Sequence, residues 1–294
     1  MKTRVRPHLR ELTSLRLGGD ARCMVIPESD DEYDQIPELA GKYGGRVVML
    51  GRGTNILAED GEHDLMLVQR GCLSAPEILS TSSEQILVRV DAGMSLARLL
   101  AWCIKHGCSG LEPLAGIPGS VGGAIAMNAG SHGQECFGLL REIRGWTPAA
   151  GVHGIQRRDC AAGYRHFSLR GNDGVYAVLG AVFAFRPASC EEIRAQSRLW
   201  FRRKKSVQPL HAHSAGCVFK NPVNGSAGMF LDRAGFRGRT CGGMRFSPVH
   251  ANFLENTGSG TAAQALELMD QAASEVFVHF GVHLDREVEV LTCP

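Results

Sequence analysis

The sequence predicts an α+β or mixed α/β protein with a domain boundary near residues 187–205, and three observations carry that expectation. Stretches with strand-like and helix-like periodicity are interleaved along the chain. Two glycine-rich regions, 110–133 and 216–260, punctuate it. Beyond Pro187 the texture changes to a polar segment that ends in the basic run Arg202-Arg203-Lys204-Lys205. With 294 residues the chain suits two or three domains.

The elements follow in order. Residues 46–50 are a β-branched and aliphatic run ending at Gly51, which reads as a buried strand entering a tight loop. Residues 67–69 and 86–90 look like further strands. From Leu96 the period changes: Leu96, Leu99, Leu100 and Cys103 follow i, i+3, i+4, i+7, with Ser95 placed to cap the start and Gly107 to end the helix. Strand-like segments return at 142–147 and 175–185. Residues 190–205 read as a helix. A last helix begins at Thr261, where Gln264 completes a capping box, and stops at Gly281; its expected apolar face is Leu266, Met269, Ala273, Val276, Phe277 and Phe280. The chain then alternates, with Val282, Leu284, Val288 and Val290 on one side and His283, Asp285, Glu287 and Glu289 on the other, the pattern of a closing strand.

Composition excludes several classes. The apolar fraction is 44% and the charged fraction 21%, those of an ordinary globular protein. A net charge of +2 exerts no general pull toward nucleic acid or an anionic membrane, so anion binding must be local. The N-terminal residues lack an apolar core, so no signal peptide is expected. The longest apolar stretch, 175–185, is interrupted by Gly180 and is too short to span a bilayer. Ten cysteines are scattered without a CxxC pair, as reduced thiols of a cytoplasmic protein would be. No metal site is expected, since His211 and His213 have no evident third ligand.

The glycine loops narrow the chemistry. Gly51-Arg52-Gly53-Thr54-Asn55 invites a dinucleotide-binding reading of the Rossmann type, but Ile56 stands where the third glycine should be and the following residues are a poor helix start. No GxxxxGK[ST] element is present, so phosphoryl transfer is unsupported. The second loop is denser: Gly116-Ile117-Pro118-Gly119-Ser120-Val121-Gly122-Gly123-Ala124, then Met127-Asn128-Ala129-Gly130. Such a run lets consecutive N–H groups turn toward one anion, and a pyrophosphate would suit it. The bland reading, close packing and tight turns, stands beside it.

These residues carry a resemblance. The chain resembles the UDP-N-acetylenolpyruvoylglucosamine reductase (MurB) family over nearly its whole length. The opening Leu12 to Ala21, the GxG(S/T)N(I/L)L loop at Gly51 to Leu57, and the GLExLAGIPGxVGGAxxMNAG stretch ending at Gly130 are similar to the family's motifs, as is Tyr164-Arg165. The family's GSxFKNP motif is matched at Gly216 to Pro222 with cysteine at position 217, and its LxxEV terminus at Leu284 to Val288. The resemblance implies an FAD-binding fold of the vanillyl-alcohol-oxidase (PCMH) type in two subdomains, 1–70 and 71–190, with a C-terminal α+β substrate domain at 191–294. Length, without an obvious insertion, is that of the shorter family type.

It also implies the reaction: NADPH reduces FAD, and hydride then passes to C3 of the enolpyruvyl group of a UDP-amino sugar while C2 takes a proton. Cofactor contacts fall on Gly51, Gly53, Thr54, Asn55, Ile56, Gly116, Ile117, Pro118, Gly119, Ser120, Gly122, Gly123, Asn128, Ala129 and Gly130. Cys217 takes the proton-donor position, and a thiol, with an ordinary pKa of about 8.5, is a stronger acid than a hydroxyl. Glu287 acts at the reacting carbon as acid or polariser. Arg165 pairs with the substrate carboxylate, a task that a planar guanidinium fills better than an ammonium. Lys205 and Asn221 match positions that contact the UDP moiety. The extra residue in Tyr164-Arg165-His166-Phe167-Ser168 leaves the alignment of Ser168 open, and His250 has no assigned role. The expected protein is a cytoplasmic monomer acting on a small molecule, with no nucleic-acid or membrane partner. Two other readings keep some of these residues: an FAD oxidase of the same superfamily, which would not need the GxxFKNP and LxxEV elements together, and a non-catalytic flavin or nucleotide-sugar binder, for which the cysteine at 217 leaves room.

Overall fold

A computed structural model describes every residue except Asp173. The chain forms two compact units. Unit 1 comprises residues Met1–Arg4, Cys23–Gly51 and Leu65–Lys204; unit 2 comprises Val5–Arg22, Arg52–Asp64 and Lys205–Pro294. The expected division at 70 and 190 follows chain order. The compact units instead assign two early segments, around residues 5–22 and 52–64, to the C-terminal unit: Ile56–Ala58 pairs with Glu289–Leu291, and Ser14 and Leu15 are hydrogen-bonded to Ser214 and Asn256, all across some two hundred residues or more of sequence.

Two hydrophobic clusters organise unit 1. One packs Cys23, Val25, Tyr33, Ile36, Met66, Val68 and Trp146. Its sheet has the order Lys2–Val5, Asp20–Ile26, Glu62–Gln69, Arg46–Leu50, and the last two strands run parallel. The other cluster lies under an antiparallel sheet of order Gly151–Gln156, Leu140–Thr147, Ala177–Pro187, Ile86–Asp91, Glu77–Thr81, with Cys108–Ser109 pairing the end of Ala177–Pro187. Against it sits the helix Leu96–His106, which buries Leu96, Leu99 and Cys103. The Ser95 side chain accepts from the Arg98 N–H, and Gly107 ends the helix at φ +69°, so both expected signals act. Arg70 joins the sheets' ends: its guanidinium donates to Asp30 at 2.7 Å and to Asp91 at 2.8 Å. That ionic knot has no local sequence signature.

In unit 2 an antiparallel sheet of order His213–Cys217, Phe253–Asn256, Met244–Phe246, Thr240–Cys241 packs on the helix Ala262–Phe280. The capping box is present, with Thr261 accepting from the Gln264 N–H and Gly281 stopping the helix at φ +66°. The buried face is Ala262, Ala265, Leu268, Met269, Ala272 and Val276. Phe277 and Phe280, expected on it, are exposed, because alanines rather than large side chains let this helix approach the sheet closely. The expected closing strand is shorter than its alternation suggests. Only Glu289–Leu291 is a strand, paired parallel to Ile56–Ala58, and Glu287 lies just before it. The hairpin Cys160–Gly163 with His166–Leu169, unread in the sequence, belongs to unit 1. It carries Arg165 at its tip.

Candidate active site residues in each unit

In unit 1 the second glycine stretch is partly helical. Ser120 accepts from the Gly123 N–H and opens a short turn of helix, Val121–Ala126. The loop is stitched to the preceding strand end by Leu96 N–H to Gly119 O at 3.1 Å, Val121 N–H to Met94 O at 2.8 Å and Gly122 N–H to Ala92 O at 2.8 Å. Gly116, Ile117 and Gly119 are half-buried and Pro118 is exposed. Together with Leu96, Leu100, Leu111 and Leu114, residues 116–118 line a small apolar cleft of about 170 Å³. Asn128 is wholly buried at φ +40° and its amide is fully engaged: it donates to Glu135 at 2.8 Å and to the Gly163 carbonyl at 2.9 Å, and accepts from the Phe137 N–H at 3.1 Å. The side chain expected to meet a cofactor therefore braces the loop. Burial and the shape of the local backbone claimed it.

That brace reaches the Arg165 hairpin. Gly163 pairs with His166, so Tyr164 and Arg165 alone form the turn, and Arg165 is held at φ +53°. An arginine in the left-handed region is uncommon and costs energy that glycine or asparagine would not. The guanidinium lies 5.0 Å from the Tyr164 ring centroid. Ser168 sits in the second strand of the hairpin, opposite Ala161.

Of the two lysines ending the basic run, the structure buries the first. Lys205 is exposed, whereas Lys204 is 4% exposed and its ammonium has no hydrogen-bond partner. Gly116 and Phe201 pack around its stem. Desolvation, aided by the nearby positive charge of Arg165, pushes the Lys204 ammonium down to about 8. Two cations close together, one of them buried and unsatisfied, make a site that an anion would relieve.

Unit 2 holds the other predicted residues, and two of them lie on adjoining segments. A bulge between Ser214 and Cys217, with Gly216 at φ +82°, re-aims the strand end that carries the thiol. Segment 217–220 then runs against 285–288. The Glu287 N–H donates to the Val218 carbonyl at 2.7 Å and the Lys220 N–H to the Asp285 carbonyl at 2.8 Å, with Phe219 bridged to Arg286. Cys217 and Glu287 are thus on adjoining segments, both partly accessible. Asn221 accepts from the Ala227 N–H at 3.0 Å, at the head of the helix Ala227–Arg233.

The sequence reading missed Asn252. This buried side chain accepts from the Phe219 N–H at 3.0 Å and donates to the Phe219 carbonyl at 2.8 Å, while its own carbonyl accepts from the Val218 N–H at 2.9 Å. It clamps the segment that bears Cys217. An asparagine within Ser247-Pro248-Val249-His250-Ala251-Asn252-Phe253 was the available signal. His250, two residues away, accepts from the Asn252 N–H at 3.2 Å, and burial holds its imidazole below the ordinary range.

The first glycine loop divides. Gly51 lies in unit 1, where its carbonyl accepts from Gln69 at 2.8 Å. Gly53 and residues 54–56 belong to unit 2. A Cβ on Gly53, at φ +62°, would stand 2.0 Å from the Leu12 carbonyl oxygen, so here the packing explanation for the glycine is sufficient. Thr54 is half-buried, and Ile56 opens the strand that pairs with Glu289–Leu291. The Asn55 amide donates to the Glu287 carbonyl at 3.0 Å, and the Glu289 N–H returns a bond to the Asn55 carbonyl at 2.9 Å. A wide concavity of about 950 Å³ elsewhere in unit 2, lined by His8, Arg10, Arg16, Asp20 and Glu62 among others, contains none of the predicted residues. Its polar walls lack the apolar lining typical of a ligand pocket. Among the described residues no cluster of three His, Cys, Asp or Glu side chains could hold a metal ion.

Comparison with known proteins decides the family. Residues 208–291 match the C-terminal domain of UDP-N-acetylenolpyruvoylglucosamine reductase, and residues 21–145 match an FAD binding domain. A relative described as UDP-N-acetylenolpyruvoylglucosamine reductase, from Nitratidesulfovibrio vulgaris, is 44% identical over 97% of each chain. The chain belongs to the UDP-N-acetylenolpyruvoylglucosamine reductase family. A relative of the same description from Oleidesulfovibrio alaskensis is 42% identical over 97% of this chain and 96% of its own. The crystal structure of the Thermus caldophilus UDP-N-acetylenolpyruvylglucosamine reductase (MurB) superposes with a TM-score of 0.81 at 30% identity, covering both chains completely. The fold is therefore the family's: an FAD-binding domain and the C-terminal domain of the reductase. The glycine loops at 51–57 and 116–130 fall within the FAD-domain match, and Cys217, Asn221 and Glu287 within the family's C-terminal domain.

Proposed function

We propose that this protein reduces UDP-N-acetylglucosamine enolpyruvate to UDP-N-acetylmuramate, with FAD as its bound cofactor and NADPH as reductant. Family membership supports the reaction, and one observation supports the residue roles: the Glu287 N–H bonded to the Val218 carbonyl at 2.7 Å, which sets Cys217 and Glu287 on adjoining segments. The unsatisfied Lys204 ammonium beside the Gly116 loop fits an anionic cofactor such as FAD. FAD supplies hydride transfer when bound.

The chain's own residues do the rest. Unit 1 holds the cofactor through the loop at 116–123, with Lys204 meeting negative charge and Asn128 bracing the loop. Arg165 pairs with the substrate carboxylate, and its fixed place at a two-residue turn limits the entropy lost on binding. Cys217 keeps its proton at Sγ until C3 has received hydride and negative charge develops at C2, then releases the proton to C2. Glu287 polarises the enolpyruvyl group. Asn221 and the exposed Lys205 meet the UDP moiety. A positioned proton donor of this kind contributes roughly 10²–10⁴-fold to the rate. Among the described residues no helix is long and apolar enough to cross a membrane. A monomer in the cytoplasm, acting on a nucleotide sugar, is the proposed working form.

The test is anaerobic stopped-flow absorbance of the flavin. NADPH is added first, then UDP-N-acetylglucosamine enolpyruvate. Bleaching followed by rapid recolouring on addition of the enolpyruvyl sugar is the expected result. Recolouring only when oxygen is admitted would replace the reading with an oxidase, and a flavin that NADPH never bleaches would replace it with a binding protein.

A further inference from the structure

Both main-chain polar groups of Glu287 are spoken for, and from different directions. Its N–H goes to the Val218 carbonyl at 2.7 Å, a strand-like bond from the segment bearing Cys217. Its carbonyl receives the side-chain amide of Asn55 at 3.0 Å. Regular pairing of the terminal strand begins only at Glu289, opposite Ile56. Glu287 thus stands just before the ladder, and there the Asn55 side chain reaches its carbonyl. Asn55 is well placed for this because its own carbonyl is tied to the Glu289 N–H at 2.9 Å, so the amide projects from a backbone already in register with the terminal segment.

We infer that Asn55 is a positioning residue for Glu287: its amide clamps the Glu287 peptide and so fixes where the carboxylate can reach. This rests on the proposed role of Glu287 in the reaction, and it gives the Asn55 side chain a task other than the cofactor contact that the GxG(S/T)N(I/L)L resemblance implies. The chemistry required is a neutral donor. Aspartate at this position would present a carboxylate oxygen to the Glu287 carbonyl and repel it, while occupying nearly the same volume. Since the Glu289 N–H bond uses the main chain of residue 55, neither aspartate nor alanine removes the strand pairing itself.

The two half-reactions separate this role from a cofactor role, because Glu287 is needed only when the enolpyruvyl sugar is reduced. For Asn55→Asp and Asn55→Ala we expect FAD content and the rate of bleaching by NADPH to stay within about threefold of the parent. Recolouring by the enolpyruvyl sugar should slow about 10–10²-fold, the usual consequence of a small misplacement of a reacting group. In a Glu287→Gln background, the Asn55→Ala change should add less than about twofold, since the residue it positions is already disabled. Loss of bound FAD, or equal slowing of both half-reactions, would assign Asn55 to the cofactor and overturn the inference. So would parental rates in both Asn55 variants, or full additivity with Glu287→Gln. A slow Glu287→Gln beside unaffected Asn55 variants sinks the inference alone. A Glu287→Gln variant that recolours at the parental rate removes Glu287 from the proposed mechanism and takes the inference with it.

Discussion

The side-chain amide of Asn128 donates to the carbonyl oxygen of Gly163 at 2.9 Å, tying the end of the second glycine stretch to the hairpin whose tip is Arg165. Two features read separately in the sequence, a loop suited to a phosphate and an arginine suited to a carboxylate, are thereby held by one buried side chain. Asn128→Ala leaves the Gly163 carbonyl and the Phe137 N–H without this partner in a part-buried setting around a wholly buried side chain. We expect a loss of roughly 2–4 kcal/mol in urea unfolding, with the Michaelis constant for the enolpyruvyl sugar rising as the hairpin loosens. A variant as stable as the parent would show that water replaces the amide without cost.

Lys204 titrates with a sign that can be checked. Its folded-state value, about 8, lies below the 10.5 of an unperturbed lysine. Below about pH 8 the ammonium is charged in both states and its burial costs stability in full. As pH rises from about 8 toward 10.5 the unfolded chain keeps the proton longer, so the folded state gains stability across that window. In the FAD-free protein, Lys204→Met should therefore be more stable at pH 7, by on the order of 3 kcal/mol, and should lack this component of the alkaline rise. FAD affinity should fall in the same variant. Parallel stability profiles for the two proteins between pH 7 and 10 would argue against a buried, unsatisfied ammonium.

Cys217→Ser should retain substantial activity, because a hydroxyl at the same bulge can still hold and release a proton. Cys217→Ala should lose at least about 10²-fold in flavin reoxidation by the enolpyruvyl sugar. Equal rates for all three proteins would take Cys217 out of the mechanism.

At φ +53°, Arg165 is strained where glycine would be relaxed. Arg165→Gly should leave stability unchanged or raise it by ~1 kcal/mol, yet strongly raise the Michaelis constant for the enolpyruvyl sugar and lower turnover. Arg165→Lys, which keeps charge but not the fork, should fall between. A stability loss in Arg165→Gly without an activity loss would make the residue a structural element of the hairpin.

Much of the fold was legible because its signals are local. Ser95 and Gly107, then Thr261, Gln264 and Gly281, bound their helices in the structure as the capping rules require, since a cap acts within three or four residues of itself. The strand Arg46–Leu50 was read to the residue. Where a choice depended on a distant surface, the reading slipped. The face of the last helix turned toward Leu268 and Ala272 because the sheet it meets selects the side, and the alternation from Val282 to Val290 yielded a strand only where Ile56–Ala58 was there to pair. In the basic run, Lys204 and Lys205 are adjacent and chemically alike, and helix geometry points them about 100° apart; packing against Phe201 and Gly116 buried the first.

By itself the sequence determined the family, the alternation of strands and helices, and the residue types fit for hydride-coupled proton delivery, since these are written in motifs and periodicities a few residues long. Only the tertiary structure decided where the side-chain amides are spent, each on a distant stretch of main chain. Asn128 is spent on Gly163, Asn252 on Phe219 and Asn55 on Glu287, in the last case across 232 positions of chain. A buried amide must find partners wherever the fold brings them, and sequence distance carries no information about that meeting.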